Sequence, residues 1–89
     1  MTKGVSELVK EAESVADSAL KGCPAETYAL LTPFLEKVIA IAPQMNSDYP
    51  VALNSVVKSL LEAQQIDDLL KIADFLNFEM VYILNNFQK

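Results

Sequence analysis

Residues 66–87 read IDDLLKIADFLNFEMVYILNNF, and the fold turns on what this stretch does with its apolar residues. Ile66, Leu69, Ala73, Leu76, Met80, Ile83 and Phe87 alternate steps of three and four. That is the a/d spacing of a helix laid into a bundle seam, and it predicts a helix over roughly Asp67 to Phe87. Turning each residue by about 100° gathers Phe75, Phe78 and Tyr82 on the opposite side, around Lys71. Asp67, Asp74 and Asn85 border this second stripe on one side; Asp68, Glu79 and Asn86 border it on the other. An aromatic strip with a polar rim is the composition of an interface, and Phe75, Phe78, Tyr82, Lys71 and Glu79 are the candidate partner-binding residues. The competing reading makes this helix central, with another helix covering its second face and the rings forming part of the core. Asn77 projects near the middle of the aliphatic face. There it either fixes register or pairing state, or bonds to nearby backbone at the margin of the covered surface.

Three further helices lie upstream. Val5, Leu8, Val9, Ala12, Val15, Ala16, Ala19 and Leu20 make one stripe, with Glu7, Lys10, Glu11, Ser14 and Ser18 opposite. Gly22 is placed to end this helix in the left-handed conformation. Pro24 suits the first position of the next helix, where its missing N–H leaves nothing unpaired, and Glu26 favours the positive end of the dipole. Leu30, Leu31, Phe34, Leu35, Val38 and Ile41 keep one phase across Pro33, which predicts a single bent helix with the proline on its wetter side. APQMNSDYP, residues 42–50, reads as a loop, with Ser47 or Asp48 as the next N-cap. Leu53, Val56, Val57, Leu60, Leu61 and Ala63 form the apolar face of a third helix, with Lys58, Ser59 and Glu62 away from it. AQQID closes the last joint, with Asp67 as a cap and as the i,i+4 partner of Lys71. Such short connections imply antiparallel neighbours, so the expected fold is all-α, a single domain over residues 1–89: an antiparallel four-helix bundle with a proline-bent second helix.

Composition narrows the function. The 89 residues carry 12 acids against 7 lysines, a net charge of −5, with no arginine and no histidine. Counterion release from phosphates needs clustered basic groups, so nucleic acid is not an expected partner, and an anionic membrane surface is disfavoured by the same sign of charge. A lone Cys23 forms no intrachain disulfide. MTKGVSELVKEAES meets charge before any apolar run of signal-peptide length, and the longest uncharged interval, Val38 to Ser47, contains Pro43, Gln44 and Asn46. The expectation is a cytoplasmic protein.

Without histidine, the Ser-His-Asp and Cys-His arrangements, Glu-x-x-His metal motifs and imidazole zinc ligands are absent. Cys23, at a helix start, is either a thiol activated by the helix dipole or a small buried hydrophobe. Asp67 and Asp68 are too few oxygens for calcium, and Gly4 and Gly22 build no phosphate loop. No enzyme activity, cofactor, metal or small-molecule ligand is expected.

DDLLKIADFLNFEMVYIL, residues 67–84, resembles a leucine-rich D-x-x-x-L-A-D-x-L-x-Y-E-L helix of small bacterial all-helical proteins. Ile72, Ala73, Asp74, Leu76, Phe78, Glu79 and Met80 match in kind. Phe78 stands where that group has tyrosine and Asn77 where it has glutamate. The resemblance implies a bacterial helical domain and carries over no activity. Together these readings predict a small non-catalytic protein-interaction module. The alternatives are an acidic inhibitor or immunity-type protein that covers a basic partner, and a homodimeric structural protein.

Overall fold

The computed structural model describes residues 4–89, which form four helices. They are α1 (Val5–Leu20), α2 (Pro24–Ala40), α3 (Tyr49–Gln65) and a fourth helix over residues 69–86. The fourth is α-helical over Leu69–Asp74, π-helical over Phe75–Met80 and α-helical again over Val81–Asn86. Among the described residues β-structure is limited to one isolated antiparallel bridge, Met45 to Gln88.

Local chemistry sets the joints. Gly22, at φ 74°, follows α1 in the left-handed region. Its N–H donates to the Ala19 carbonyl at 3.0 Å and that of Cys23 to the Ser18 carbonyl at 3.3 Å, a complete Schellman closure. Pro24 then occupies the first turn of α2, and the helix continues through an exposed Pro33 without a break. The α3 end repeats the Schellman closure without glycine. Asp67 sits at φ 54°, with its N–H on the Gln64 carbonyl at 3.1 Å and that of Asp68 on Ala63 at 2.9 Å. Asp67 is therefore not the cap of the fourth helix. Asp68 is, its Oδ1 accepting from the Lys71 N–H at 3.1 Å, while Asp67 Oδ1 accepts from the Tyr28 hydroxyl at 2.8 Å.

A left-handed aspartate costs roughly 1 kcal/mol, and the Tyr28 hydrogen bond offsets about as much. Asp67→Gly should thus be nearly neutral in the native chain and stabilising by about 1 kcal/mol in a Tyr28→Phe background, read by urea unfolding. Equal effects in both backgrounds would mean that the hydrogen bond does not hold the joint.

The 42–50 segment does more than connect. Ala42–Gln44 is a short 3₁₀ turn, Met45 is buried and Tyr49, the first residue of α3, is fully enclosed. The Tyr49 hydroxyl donates to the Val38 carbonyl at 2.6 Å, satisfying one of the carbonyls left open in the last turn of α2. Asp48 holds the N-cap position without a side-chain bond; instead Asn46 Oδ1 accepts from the Asp48 N–H at 2.9 Å. The chain end is tied to this segment by Asn46 N–H to the Phe87 carbonyl at 2.7 Å and Lys89 Nζ to the Pro43 carbonyl at 2.9 Å.

All four helices contribute to one core: the fourth helix packs against both α1 and α3, and α2 packs mainly against α1 and also against α3. Ala12, Ala16 and Ala19 let α1 approach its neighbours closely, and Phe34, Tyr49, Leu60, Ile72, Leu76, Met80 and Leu84 fill the interior. Several expected positions differ. Leu20, Leu30, Leu61 and Ile66 are exposed, each at the margin of its stripe or beyond the end of a helix. Ser18, expected to face solvent, is buried where α1 meets α2, its hydroxyl 3.3 Å from that of Thr27. Thr27 in turn donates to the Cys23 carbonyl at 2.7 Å, so this polar pair is satisfied inside the fold.

Candidate functional site

The fourth helix has an inner and an outer face. Leu76, Met80 and Leu84 are wholly enclosed with Ile72, and Ala73 and Ile83 are nearly so. This inner face touches both α1 and α3 along its length. Asn77 lies at its margin, half-buried, rather than in the middle of the covered surface.

The π turn explains why the inner face is not the simple a/d row. An α-helix drifts forward when positions four apart are compared; a π turn, bonded i to i+5, accommodates more residues per turn and draws such positions back into line. Ile72, Met80 and Leu84 therefore stay on the covered side together. On the outside the same correction aligns Leu70, Asp74, Phe78 and Tyr82, all exposed.

Four of the five candidate residues sit in the open. Phe78 is 68% exposed and Tyr82 60%, so these two rings are not core. Lys71 and Glu79 are exposed on the same side. Phe75 differs: it is half-buried and packs against the core cluster. Sequence periodicity placed all three rings on one strip. The structure divides them into one ring anchored at the margin of the core and two standing free. Leu70, 64% exposed, extends the apolar surface beyond the aromatic residues; Ile66, 71% exposed, lies outside the helix as the C-cap of α3. Sequence spacing puts Ile66 in the seam and assigns Leu70 to neither face; the solvent-side run Leu70, Phe78, Tyr82 at multiples of four is the signal that could have placed Leu70.

Asp74, Phe75, Phe78 and Glu79 enclose a shallow hollow of about 340 Å³ on this face. Two carboxylates and two aromatic rings around one depression suit a cationic side chain, by charge and by attraction to the ring faces. Lys71 supplies the one positive charge of the strip, and its ammonium makes no ion pair among the described residues. The ion pairs there are Lys21 with Asp17 at 2.9 Å and Lys37 with Glu11 at 3.0 Å. A second, apolar hollow of about 230 Å³ lies between the end of α2 and the start of α3, lined by Ile39, Ala42, Pro50, Leu53, Asn54 and Val57.

Chemistry elsewhere is sparse. Cys23 is half-buried at the N-cap of α2, with its Sγ 3.9 Å from the Lys21 carbonyl. Among the described residues no three cysteine or carboxylate side chains come together as a metal site, and no helix is long and apolar enough to cross a membrane. The chain matches no protein-family model, no curated protein and no solved structure.

Proposed function

We propose that the protein is a small non-catalytic interaction module whose working surface is the outer face of the fourth helix. The observation that supports this most is the exposure of Phe78 and Tyr82 on a helix whose other face is fully packed. Burying one such ring against a partner stabilises a complex by roughly 1.5–3 kcal/mol, and aromatic residues enclosed by a polar rim are where binding energy concentrates. Phe75 gives the strip a fixed base, because it already packs against the core. We take the helices to run antiparallel, with α2 bent at Pro33, which leaves the fourth helix at the front of a bundle.

Association, read as native mass by light scattering or as capture of a protein from cell extract, should be lost in Phe78→Asp while helicity by circular dichroism is unchanged. Val51→Asp, on an equally exposed residue of α3, should retain it. Equal binding by both variants contradicts the assignment. The net charge of −5 favours a second reading, an acidic inhibitor that covers a basic site. Its binding should fall steeply as salt is raised, whereas binding through the rings should persist.

A further inference from the structure

We infer that the occupant of this face is a second copy of the chain, paired antiparallel through the fourth helix, with Lys71 of each copy received beside Glu79 of the other; the inference rests on the interaction-surface reading above. On the fourth helix the exposed apolar residues Leu70 and Phe78 are symmetric in sequence about Asp74, one step of four to either side. Lys71 and Glu79 are likewise symmetric about Phe75, four residues to either side. An isologous contact requires such self-complementarity, because each residue must meet the counterpart that the two-fold axis assigns to it.

A two-fold axis crossing the helix at Asp74–Phe75 brings like margins of the two copies together. On one margin Leu70 meets Phe78, twice. On the other, Lys71 meets Glu79, twice, with Phe75 near the axis. The hollow bounded by Asp74, Phe75, Phe78 and Glu79 accepts the lysine stem and its ammonium. Within residues 59–88 Lys71 is the one cation, and neither it nor Glu79 has an ion-pair partner among the described residues. The π turn serves the pairing by keeping Leu70, Asp74, Phe78 and Tyr82 in one row. Like-charge repulsion between Asp74 of the two copies, close to the axis, is relieved by the two lysines one turn away.

Sedimentation equilibrium from about 1 µM to about 1 mM tests this on the full chain. Wild type should approach twice the 9.8 kDa chain mass. Lys71→Glu and Glu79→Lys, both on exposed side chains, should each weaken the dimer at least about tenfold without loss of helicity. An equimolar mixture of the two variants should recover affinity to within about threefold of wild type, since both cross-contacts then join opposite charges. A wild-type monomer throughout, an unaffected single variant or a mixture that fails to recover each overturns the inference. If wild type is monomeric yet Phe78→Asp still abolishes capture from extract, self-pairing falls and the interaction surface stands; if that capture is also insensitive to Phe78, both fall.

Discussion

Leu76→Ala should lower the unfolding free energy by about 3 kcal/mol, while Phe78→Ala, two residues on, should change it by less than about 0.5 kcal/mol. Leu76 is fully enclosed, so truncation removes its packing and leaves a cavity that surrounding helices close only in part. For a domain of this size the loss corresponds to a fall in thermal midpoint of roughly 12–24 °C. Phe78 has no such contacts to lose, and alanine is the better helix former. Urea unfolding at concentrations where the chain is monomeric checks the pair. Comparable losses at both positions would mean that the rings are core.

Alkaline pH provides the second large effect. Enclosure of Tyr49 away from water pushes its phenol up from an ordinary value near 10 to about 12. At pH 9 the phenol is neutral in both the folded and the unfolded chain. Between pH 10 and pH 12 the unfolded chain releases a proton that the folded chain retains, so stability falls as pH rises, by about 2–3 kcal/mol in total. Tyr28 is pushed up to about 12 as well, by partial burial first and by its hydrogen bond to Asp67 second. That ring is partly exposed, and solvent screening leaves it the smaller share. Tyr49→Phe should therefore cost about 1 kcal/mol at pH 7 through the lost bond to Val38, and should flatten most of the decline between pH 10 and pH 12. Urea midpoints of wild type and variant across that window decide it; parallel curves would contradict the assignment to Tyr49.

Sequence punctuation is short-range chemistry, and it was legible. Gly22 ends α1 in a left-handed turn, Pro24 begins α2, and Pro33 is accommodated on an exposed side of one continuous helix because each outcome depends on a few neighbouring backbone groups. Coverage is a property of neighbours. Leu20, Leu30 and Leu61 satisfy helical spacing as well as any core residue, yet neighbouring elements leave them exposed. Ser18 is buried because Thr27, nine residues away on the next helix, satisfies its hydroxyl. The α3 joint misleads for a different reason: a left-handed turn normally signals glycine, and here an aspartate holds it with help from Tyr28, distant in sequence.

The strip is an instructive mixture. Spacing at about 100° per residue brought Phe75, Phe78 and Tyr82 to one side, but it assumes a uniform helix. The π turn over Phe75–Met80 departs from that spacing within the strip itself and keeps Leu70, Asp74, Phe78 and Tyr82 in one exposed row, while Phe75 packs at the core margin. Periodicity contains no term for such a turn. Nor does it distinguish an apolar face awaiting a helix of its own chain from one awaiting another molecule.

Hydroxyl-radical footprinting of the dilute, monomeric chain, read residue by residue by mass spectrometry, tests most directly whether the rings of the fourth helix stand bare. Phe78 and Tyr82 should oxidise at least about tenfold faster than the enclosed Phe34 and Tyr49, with Phe75 between them. Protection of Phe78 and Tyr82 equal to that of Phe34 and Tyr49 would place them in the core and remove the surface on which the account depends.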